Sequence, residues 1–304
     1  MKSTIEKALA RQQEAKKKEL EKKQAEQVTT EEVTLPNDES IGAPVGASEA
    51  PKQANAVPGE KRPFKLNFQQ LDERGFVSLV GNRRQINEEY REIKRKLLSN
   101  AFGPLAKTLH NSNIIMVTSS RPSEGKTFSA TNLALSIASE QDKTVLLVDA
   151  DVLKPNVLNT LKLERRNGLM EYLMGEVDDI ADVIYPTNLE TLKIIPAGRF
   201  HHKSTELLAS QRMHDIVDEF ANRYSDRVVV IDTPPLIGIT ETAVLANFAG
   251  QAMVVIEEGR TKLNDIRFAV DRLNPDMAIG FVVNKSVEED AFNGYYGYYY
   301  SDRE

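Results

Sequence analysis

From Asn113 onward, short apolar runs rich in β-branched residues alternate with stretches of helical pattern. Short, nearly continuous apolar runs indicate strands buried on both faces, which is typical of parallel sheets with crossover helices. The sequence therefore predicts an α/β fold, a mostly parallel sheet with helices on both faces. The predicted strands are 114–117, 145–148, 192–195, 228–231, 253–256 and 279–283, and the predicted helices are 127–140, 206–224, 240–248 and 263–273.

The pattern before Asn113 predicts one helix and two segments outside the fold. Ile86, Tyr90, Ile93 and Leu97 recur at helical spacing and form one apolar stripe. The first residues are rich in Lys, Glu, Gln and Ala, and the following stretch is rich in Pro and Gly and reads as a disordered linker. The predicted organisation is a charged helical segment (1–27), a linker (28–62), a P-loop domain (63–291) and a tyrosine-rich tail (292–304).

Composition narrows the class of protein. The chain has 304 residues and a net charge of −6, which argues against a general nucleic-acid binder because such proteins are usually basic. It has no cysteine, so disulfides and thiolate metal sites are excluded. It shows no apolar run of about 18 residues and no apolar segment of signal-peptide type. We therefore expect a cytoplasmic protein that reaches a membrane only through a partner.

A phosphate-binding loop is predicted between the strand at 114–117 and the following helix. Gly125, Lys126 and Thr127 match the end of the pattern G-x-x-x-x-G-K-[ST], whereas Ser120 replaces its first glycine. In such a loop, backbone N–H groups surround the phosphates, the lysine reaches the β/γ oxygens and the hydroxyl binds Mg²⁺. The position between a strand and a helix favours an ATP site over a surface turn with a chance G-K-T.

Carboxylates follow two further apolar strands. Asp149 and Asp151 come directly after the strand at 145–148, and Asp232 follows the strand at 228–231. Carboxylates beside a phosphate loop suit Mg²⁺ coordination, and one of the first pair could accept a hydroxyl proton. We predict Lys126, Asp149 and Asp151 as catalytic residues, and Thr127, Asp149 and Asp232 as Mg²⁺ ligands. The alternative for the first pair is a capping and turn-forming role.

The chain ends in a tyrosine cluster that we predict to be phosphorylated. Two glycines make the segment flexible, and Glu288, Glu289 and Asp290 precede it. Each phosphate would add roughly −1.5 to −2 charges at neutral pH. The alternative is a stacking tail with no acceptor role. The predicted phosphoacceptors are Tyr295, Tyr296, Tyr298, Tyr299 and Tyr300.

From about Phe64 to its end, the chain resembles the BY-type bacterial tyrosine kinases, which share the P-loop fold of the partitioning ATPases. Within that group it is similar to the exosortase-associated tyrosine autokinases of exopolysaccharide gene clusters. The resemblance rests on the loop ending at Thr127, the segments V-D-A-D-V and D-T-P-P, the E-L-L-A-S segment at 206–210 and the Y-Y-G-Y-Y ending.

The resemblance implies activity, partners and further site residues. It implies a homo-oligomeric ring in which each tail enters a neighbouring active site, and an activating membrane-spanning regulator of polysaccharide chain length. Glu88, Arg91 and Lys94 match the E-x-x-R-x-x-R motif of subunit contacts, with lysine in place of the last arginine. Two further departures are Ser123, where glycine is frequent, and Leu153 followed by Lys154, where arginine is frequent. The implied nucleotide-binding residues are Arg121, Ser123, Glu124, Gly125, Lys126, Thr127, Phe128 and Asn284.

Two of these assignments, Asn284 and Arg121, are weaker than the others, and a histidine pair needs a separate interpretation. Asn284, at the end of the strand 279–283, would contact the adenine base or simply form a turn. Arg121 stands where partitioning ATPases carry a second lysine and would contact phosphate. His201 and His202 show no third metal ligand and are expected in a solvated loop. Two other functions stay open from sequence: a partitioning-type ATPase switch without kinase activity, and a non-enzymatic scaffold that senses ATP.

Overall fold

The computed structural model describes residues 62–79 and 84–286, which lie within one compact unit, Val57–Glu304. The segment 1–27, nearly all of the predicted linker and the tyrosine tail lie outside the described residues. The described residues form a seven-stranded sheet. The strands are β1 (Ile114–Ser119), β2 (Thr144–Asp149), β3 (Tyr185–Pro186), β4 (Leu192–Ile195), β5 (Arg227–Asp232), β6 (Gln251–Glu257) and β7 (Ala278–Asn284).

The sheet order is β3-β4-β2-β5-β1-β6-β7, and every pairing is parallel except that of β3 with β4. The fold-class prediction is confirmed, and all six predicted strands are present with ends shifted by no more than two residues. The two-residue strand β3 was not predicted. It is too short to give a period in the sequence, and only its pairing with β4 defines it.

Helices cover both faces of this sheet. The α-helices are α1 (Phe68–Glu73), α2 (Gln85–Phe102), α3 (Lys126–Ala138), α4 (Val157–Leu161), α5 (Leu169–Leu173), α6 (Ser204–Leu208), α7 (Gln211–Asn222), α8 (Thr240–Ala246) and α9 (Leu263–Val270), with 3₁₀ turns at Pro104–Thr108 and Ile180–Val183. The single helix predicted at 206–224 is wrong. Ser210 interrupts it, because its hydroxyl accepts a hydrogen bond from Met213 N and caps α7.

Successive residues of the central strands point into two separate cores. Ile114 and Met116 pack with α5, α7 and α8 on one face, whereas Ile115 and Val117 pack with α2 and α3 on the other. Both faces are buried, which is why these strands are continuous apolar runs in the sequence. No helix within the described part of the chain is long and apolar enough to cross a membrane.

The sheet order brings together the three strand ends that carry the predicted site. β5 lies between β1 and β2, so the residues that follow these strands meet at one edge of the sheet. In the register, Asp232 pairs with Asp149 on one side and with Val117 on the other. Ligands of open parallel sheets bind at this carboxyl edge.

Candidate active site

The loop between β1 and α3 has the conformation that a phosphate site needs. Gly125 precedes the helix with φ +101°, and a Cβ at this position would overlap the side-chain nitrogen of Asn284. Ser123 also lies in the left-handed region, at φ +71°, a backbone conformation that glycine adopts more readily than serine. Ser120 has no positive φ, so the missing first glycine costs nothing in backbone conformation. No side chain caps α3, so its first N–H groups can bind phosphate oxygens.

Side chains from the edge of the sheet brace this loop. The buried Glu124 carboxylate accepts hydrogen bonds from Arg121 N (2.8 Å) and from the Thr261 hydroxyl (2.5 Å). Asn284 Nδ2 donates to Glu124 O (2.8 Å), and Lys285 Nζ donates to Ser123 O (2.7 Å). The loop shape is therefore set by groups that follow β6 and β7 as well as by its own sequence.

Lys126 lies at the centre of an acidic cluster. Its Nζ is 2.6 Å from Asp151 Oδ2 and 3.6 Å from Asp232 Oδ1. The Thr127 hydroxyl donates to Asp232 Oδ2 (2.7 Å), and Asp232 is fully buried. The structure thus brings together the predicted lysine, hydroxyl and carboxylates, with the lysine turned towards the carboxylates.

Asp149 lies in the same cluster but shapes its own loop. Its carboxylate accepts hydrogen bonds from the backbone N–H groups of Asp151 (3.2 Å), Asn156 (3.1 Å) and Val157 (3.0 Å). These bonds hold the turn after β2 and the start of α4, which is the capping role left open as an alternative. Asp151 is freer, because its Oδ2 faces Lys126 while its Oδ1 accepts from Lys154 N (3.0 Å).

The cluster carries more negative than positive charge. Burial, followed by the negative charge of Asp232, raises the pKa of the Asp149 carboxyl well above its ordinary value. Burial also raises the pKa of Asp232, against the opposing effect of Lys126. For Lys126 burial acts to lower the pKa, but the neighbouring carboxylates, Asp232 first, outweigh it and the pKa is raised. One ammonium group faces three carboxylates, an arrangement that favours a bound cation.

The oxygens of Thr127 and Asp232 suit Mg²⁺. Hydroxyl and carboxylate oxygens are its preferred protein ligands, and it usually takes only one or two of them beside phosphate oxygens and water. Asp232 Oδ1 is buried and has no hydrogen-bond partner among the described residues. Within the same residues, no group of three or more His, Cys, Asp or Glu side chains forms an all-protein metal site. The donor set therefore fits a magnesium ion held jointly by the protein and a nucleotide.

The remaining predicted nucleotide residues lie around the loop with different partners. Arg121 extends to Asp265, with which its guanidinium makes hydrogen bonds of 2.7 and 2.9 Å, so its charge is directed away from the acidic cluster. Phe128 packs against Phe76 at a ring separation of 4.8 Å. Phe128 and Asn284 both line a groove of about 640 Å³ between α2 and β7, beside the phosphate loop.

The three predicted subunit-contact residues do not share one environment. Glu88 and Arg91 form an ion pair on α2 that is about one-third exposed. Lys94 is instead buried, and its ammonium donates to Ser136 O (2.8 Å) and pairs with Glu140 (2.5 Å). It fastens α2 to the phosphate-loop helix α3, so a contact between subunits through this motif would rest on Glu88 and Arg91.

Two buried glutamates at this edge were missed from sequence. Glu171 accepts hydrogen bonds from Gly168 N (2.6 Å) and Arg199 N (2.9 Å), and Glu241 accepts from the hydroxyls of Ser204 (3.1 Å) and Thr205 (2.8 Å). Apart from Gly168, which precedes Glu171 by three residues, these partners lie 28 to 37 residues away, so no local pattern pairs them with the glutamates. The histidines at 201 and 202 stack at 4.4 Å in a surface loop, as expected.

Comparison with known proteins places this site in a family. Residues 112–270 match the family described as AAA domain. The tyrosine-protein kinase YwqD of Bacillus subtilis is 28% identical over 74% of this chain and 92% of its own length. The tyrosine-protein kinase CpsD of Streptococcus agalactiae is 32% identical over 61% of this chain and 81% of its own length. The putative tyrosine-protein kinase EpsB of Ralstonia nicotianae is 34% identical over 61% of this chain, but the match spans only 24% of EpsB.

Solved structures agree with the sequence relatives. The kinase domain of Escherichia coli tyrosine kinase ETK is 25% identical, with a TM-score of 0.57 over 74% of this chain and 92% of its own length. The BceF tyrosine kinase domain is 26% identical, with a TM-score of 0.59 over 70% of this chain and 86% of its own. With the phosphate loop and the acidic cluster, these matches show that the chain belongs to the bacterial tyrosine-protein kinase family.

Proposed function

We propose that this chain is a Mg·ATP-dependent protein-tyrosine autokinase that phosphorylates the C-terminal tyrosines of a second copy and thereby regulates exopolysaccharide synthesis or export. The observation that supports this proposal most directly is that four side chains lie together beside the loop that precedes α3: Lys126, Thr127, Asp151 and Asp232. The proposed acceptors lie outside the described residues, at positions 295, 296, 298, 299 and 300.

Each side chain has a role that follows from its contacts. The N–H groups at the start of α3 would bind the β- and γ-phosphates, and the adenine base would lie towards the groove lined by Phe128 and Asn284. Thr127 and Asp232 would hold Mg²⁺, which supplies electrostatic stabilisation of phosphate charge. Asp149 would keep the turn after β2 in place, which makes Asp151 the stronger candidate for proton acceptor.

Binding of ATP would exchange the partners of Lys126. In the structure its ammonium is neutralised by Asp151 at 2.6 Å. Turning the ammonium towards the phosphate oxygens would release the Asp151 carboxylate from this ion pair, so its oxygen could accept a hydrogen bond from an incoming hydroxyl group. The site would then acquire its proton acceptor only when the nucleotide is in place, which couples ATP binding to readiness for transfer.

The transfer step follows from these positions. The tyrosine hydroxyl oxygen forms a bond to the γ-phosphorus while the bond from that phosphorus to the bridging β-γ oxygen breaks. The hydroxyl proton passes to Asp151, and ADP leaves with the electron pair of the broken bond. Lys126 stabilises the charge on the transferred group, so catalysis is mainly positioning and electrostatics.

The proposal extends to assembly and location. Glu88 and Arg91 on the exposed part of α2 are available for contact with a second copy, which would form a homo-oligomer, a ring in this family. The chain would act in the cytoplasm, at the inner face of the membrane. A membrane-spanning regulator of polysaccharide chain length would hold it there.

Phosphosite mapping after incubation with Mg·ATP tests the activity. The wild-type chain should acquire phosphotyrosine in its tail, and Lys126→Met should acquire none. Because Lys126→Met removes the ammonium from among three carboxylates, its folding must be checked by thermal unfolding. Asp151→Asn, which keeps a side chain of the same shape, is the second variant and should bind ATP while losing transfer.

The same experiment separates the alternatives. A control chain with all five tail tyrosines changed to phenylalanine should bind Mg·ATP normally and remain unphosphorylated in the tail. ATP turnover by the wild type without protein-bound phosphate would favour a partitioning-type switch. Nucleotide binding with neither turnover nor phosphate transfer would favour a scaffold, and phosphotyrosine on folded Lys126→Met would refute the proposed site.

A further inference from the structure

The loop at 198–203 has a fixed backbone and an exposed aromatic side chain. It follows β4, and its base is bound to the start of α5 through Leu169 N to Pro196 O (2.8 Å) and Met170 N to Ala197 O (3.0 Å). Glu171 binds Arg199 N, and a Cβ on Gly198 would overlap the Glu171 carboxylate. At the other end, the Ser204 hydroxyl donates to Glu241. Two buried carboxylates thus hold both ends of the loop.

The side chains of this loop point away from the core. Phe200 is 65% exposed, and His202 and Lys203 are exposed beside it. Arg199 is exposed as well, in an ion pair with Glu176. An exposed phenylalanine contributes little to folding, so a fixed loop that displays one next to basic groups has the character of a recognition surface.

The position of the loop relates it to the active site. β4 pairs with β2, the strand that ends in Asp149 and leads to Asp151. Neighbouring strands are about 4.8 Å apart, so the loop follows a strand roughly 5 Å from the one that carries the proposed proton acceptor. A peptide that contacts this loop lies within a few residues' reach of the phosphoryl-transfer site.

We infer that the loop at 198–203 binds the acidic run Glu288–Asp290 of a second copy of this chain and so directs that copy's tyrosines into the site. The inference rests on the proposed kinase function. The carboxylates of the run would pair with Lys203 and Arg199, and the following aromatic residues would pack on Phe200. Tyr295 is five residues beyond Asp290, a span of up to about 17 Å, which is enough to reach from the loop to Asp151.

Chain length argues for a second copy rather than the same chain. The run begins two residues after Ser286, where the described residues end beside β7. Five strand spacings separate β4 from β7, roughly 24 Å. Residues 288–290 lie only two to four residues beyond Ser286 and extend at most about 14 Å from it. The acidic run therefore falls short of its own loop.

A trans-phosphorylation assay with separate donor and acceptor chains tests the inference. The donor carries phenylalanine at all five tail tyrosines, and the acceptor carries Lys126→Met. Phe200→Ser together with Lys203→Glu in the donor should raise the KM for the acceptor about tenfold, with kcat and the KM for ATP unchanged. The same two substitutions in the acceptor should leave this KM unchanged. This control shows that the effect depends on which chain carries the substitutions and not on their effect on folding.

A second set of variants in the same assay reverses the charges of the proposed ion pairs. Donor Lys203→Glu alone should weaken phosphorylation of the wild-type acceptor tail, and acceptor Glu288→Lys with Glu289→Lys should restore it. The inference is overturned if the donor substitutions leave the acceptor KM unchanged, if they act equally from the acceptor, or if charge reversal fails to restore the KM. If the starting pair, a donor and an acceptor with no change at residues 200, 203, 288 or 289, gives no phosphotyrosine at all, the proposed function itself fails.

Discussion

Replacing Gly125 by alanine tests how far the phosphate loop depends on its contact with Asn284. At φ +101° an L-residue is strained by about 1–2 kcal/mol. The new Cβ would displace the Asn284 amide from its 2.8 Å hydrogen bond to Glu124 O, a further loss of about 1 kcal/mol. Alanine also restricts the unfolded chain, which offsets about 0.5 kcal/mol. We expect the free energy of unfolding to fall by about 2 kcal/mol.

Urea unfolding without nucleotide should be measured for wild type, Gly125→Ala, Asn284→Ala and the double variant. This double-mutant cycle separates the cost of backbone strain from the cost of the lost hydrogen bond. Asn284→Ala alone removes only the hydrogen bond and should cost about 1 kcal/mol. In the Gly125→Ala chain that bond is already lost, so the second substitution should cost little more. The double variant should therefore lie about 2 kcal/mol below wild type rather than about 3 kcal/mol.

Gly75→Ala is the matched control, because Gly75 also has a positive φ of +77° but a Cβ there meets nothing within 4 Å. It should show the backbone strain alone, and its effect should add to that of Asn284→Ala. The reasoning is refuted if the effects of Gly125→Ala and Asn284→Ala on the free energy of unfolding are additive. It is also refuted if Gly125→Ala lowers that free energy no more than Gly75→Ala does.

Three further predictions concern stability. Because burial raises the pKa of Asp232 to about 6, the folded state binds its proton more tightly than the unfolded state, and the stability that this carboxyl contributes should be lost as pH rises from about 4 to about 6. Asp232→Asn should flatten this loss in thermal unfolding without Mg·ATP and be about 1–3 kcal/mol more stable than wild type at pH 8, and a steeper loss would contradict the sign. Ser123→Gly should relieve the strain at φ +71° and add about 0.5–1 kcal/mol in urea unfolding; an unchanged midpoint would count against strain there. Glu171→Ala should lower the free energy of unfolding by about 2–4 kcal/mol, because it leaves the N–H groups of Gly168 and Arg199 unpaired. Glu171→Gln should lower it less, and equal losses for the two variants would argue against hydrogen bonding as the cause.

The sheet and the convergence of its strand ends were predictable because their signals are local. A buried parallel strand is a continuous apolar run, and each run of interest ends directly in loop or carboxylate residues. Once the strands are parallel, Lys126, Asp151 and Asp232 must lie at one edge, although the strand order itself is not visible in the sequence. The break at Ser210 was missed because both helices carry helical patterns, and only the cap separates them.

The parts that sequence could not supply are those set by distant contacts. Lys94 lies in a charged motif on a helix, yet its ammonium reaches Ser136 and Glu140 on the neighbouring segment and is buried. The pairing of Arg121 with Asp265 joins residues 144 positions apart. Charge alone does not distinguish a surface contact from an internal bond, because the partner is defined only after the helices pack.

The bracing of the phosphate loop by Asn284 and Lys285 has a practical consequence for deletion experiments. These two residues hold the carbonyls of Glu124 and Ser123, and they are nearly the last before the acidic run and the tyrosines. A truncation made before residue 284 would remove the acceptors and also unfasten the nucleotide loop. Loss of activity in such a shortened chain would say nothing about tyrosine use, whereas a cut after Asp290 would remove the acceptors and keep both the loop contacts and the acidic run.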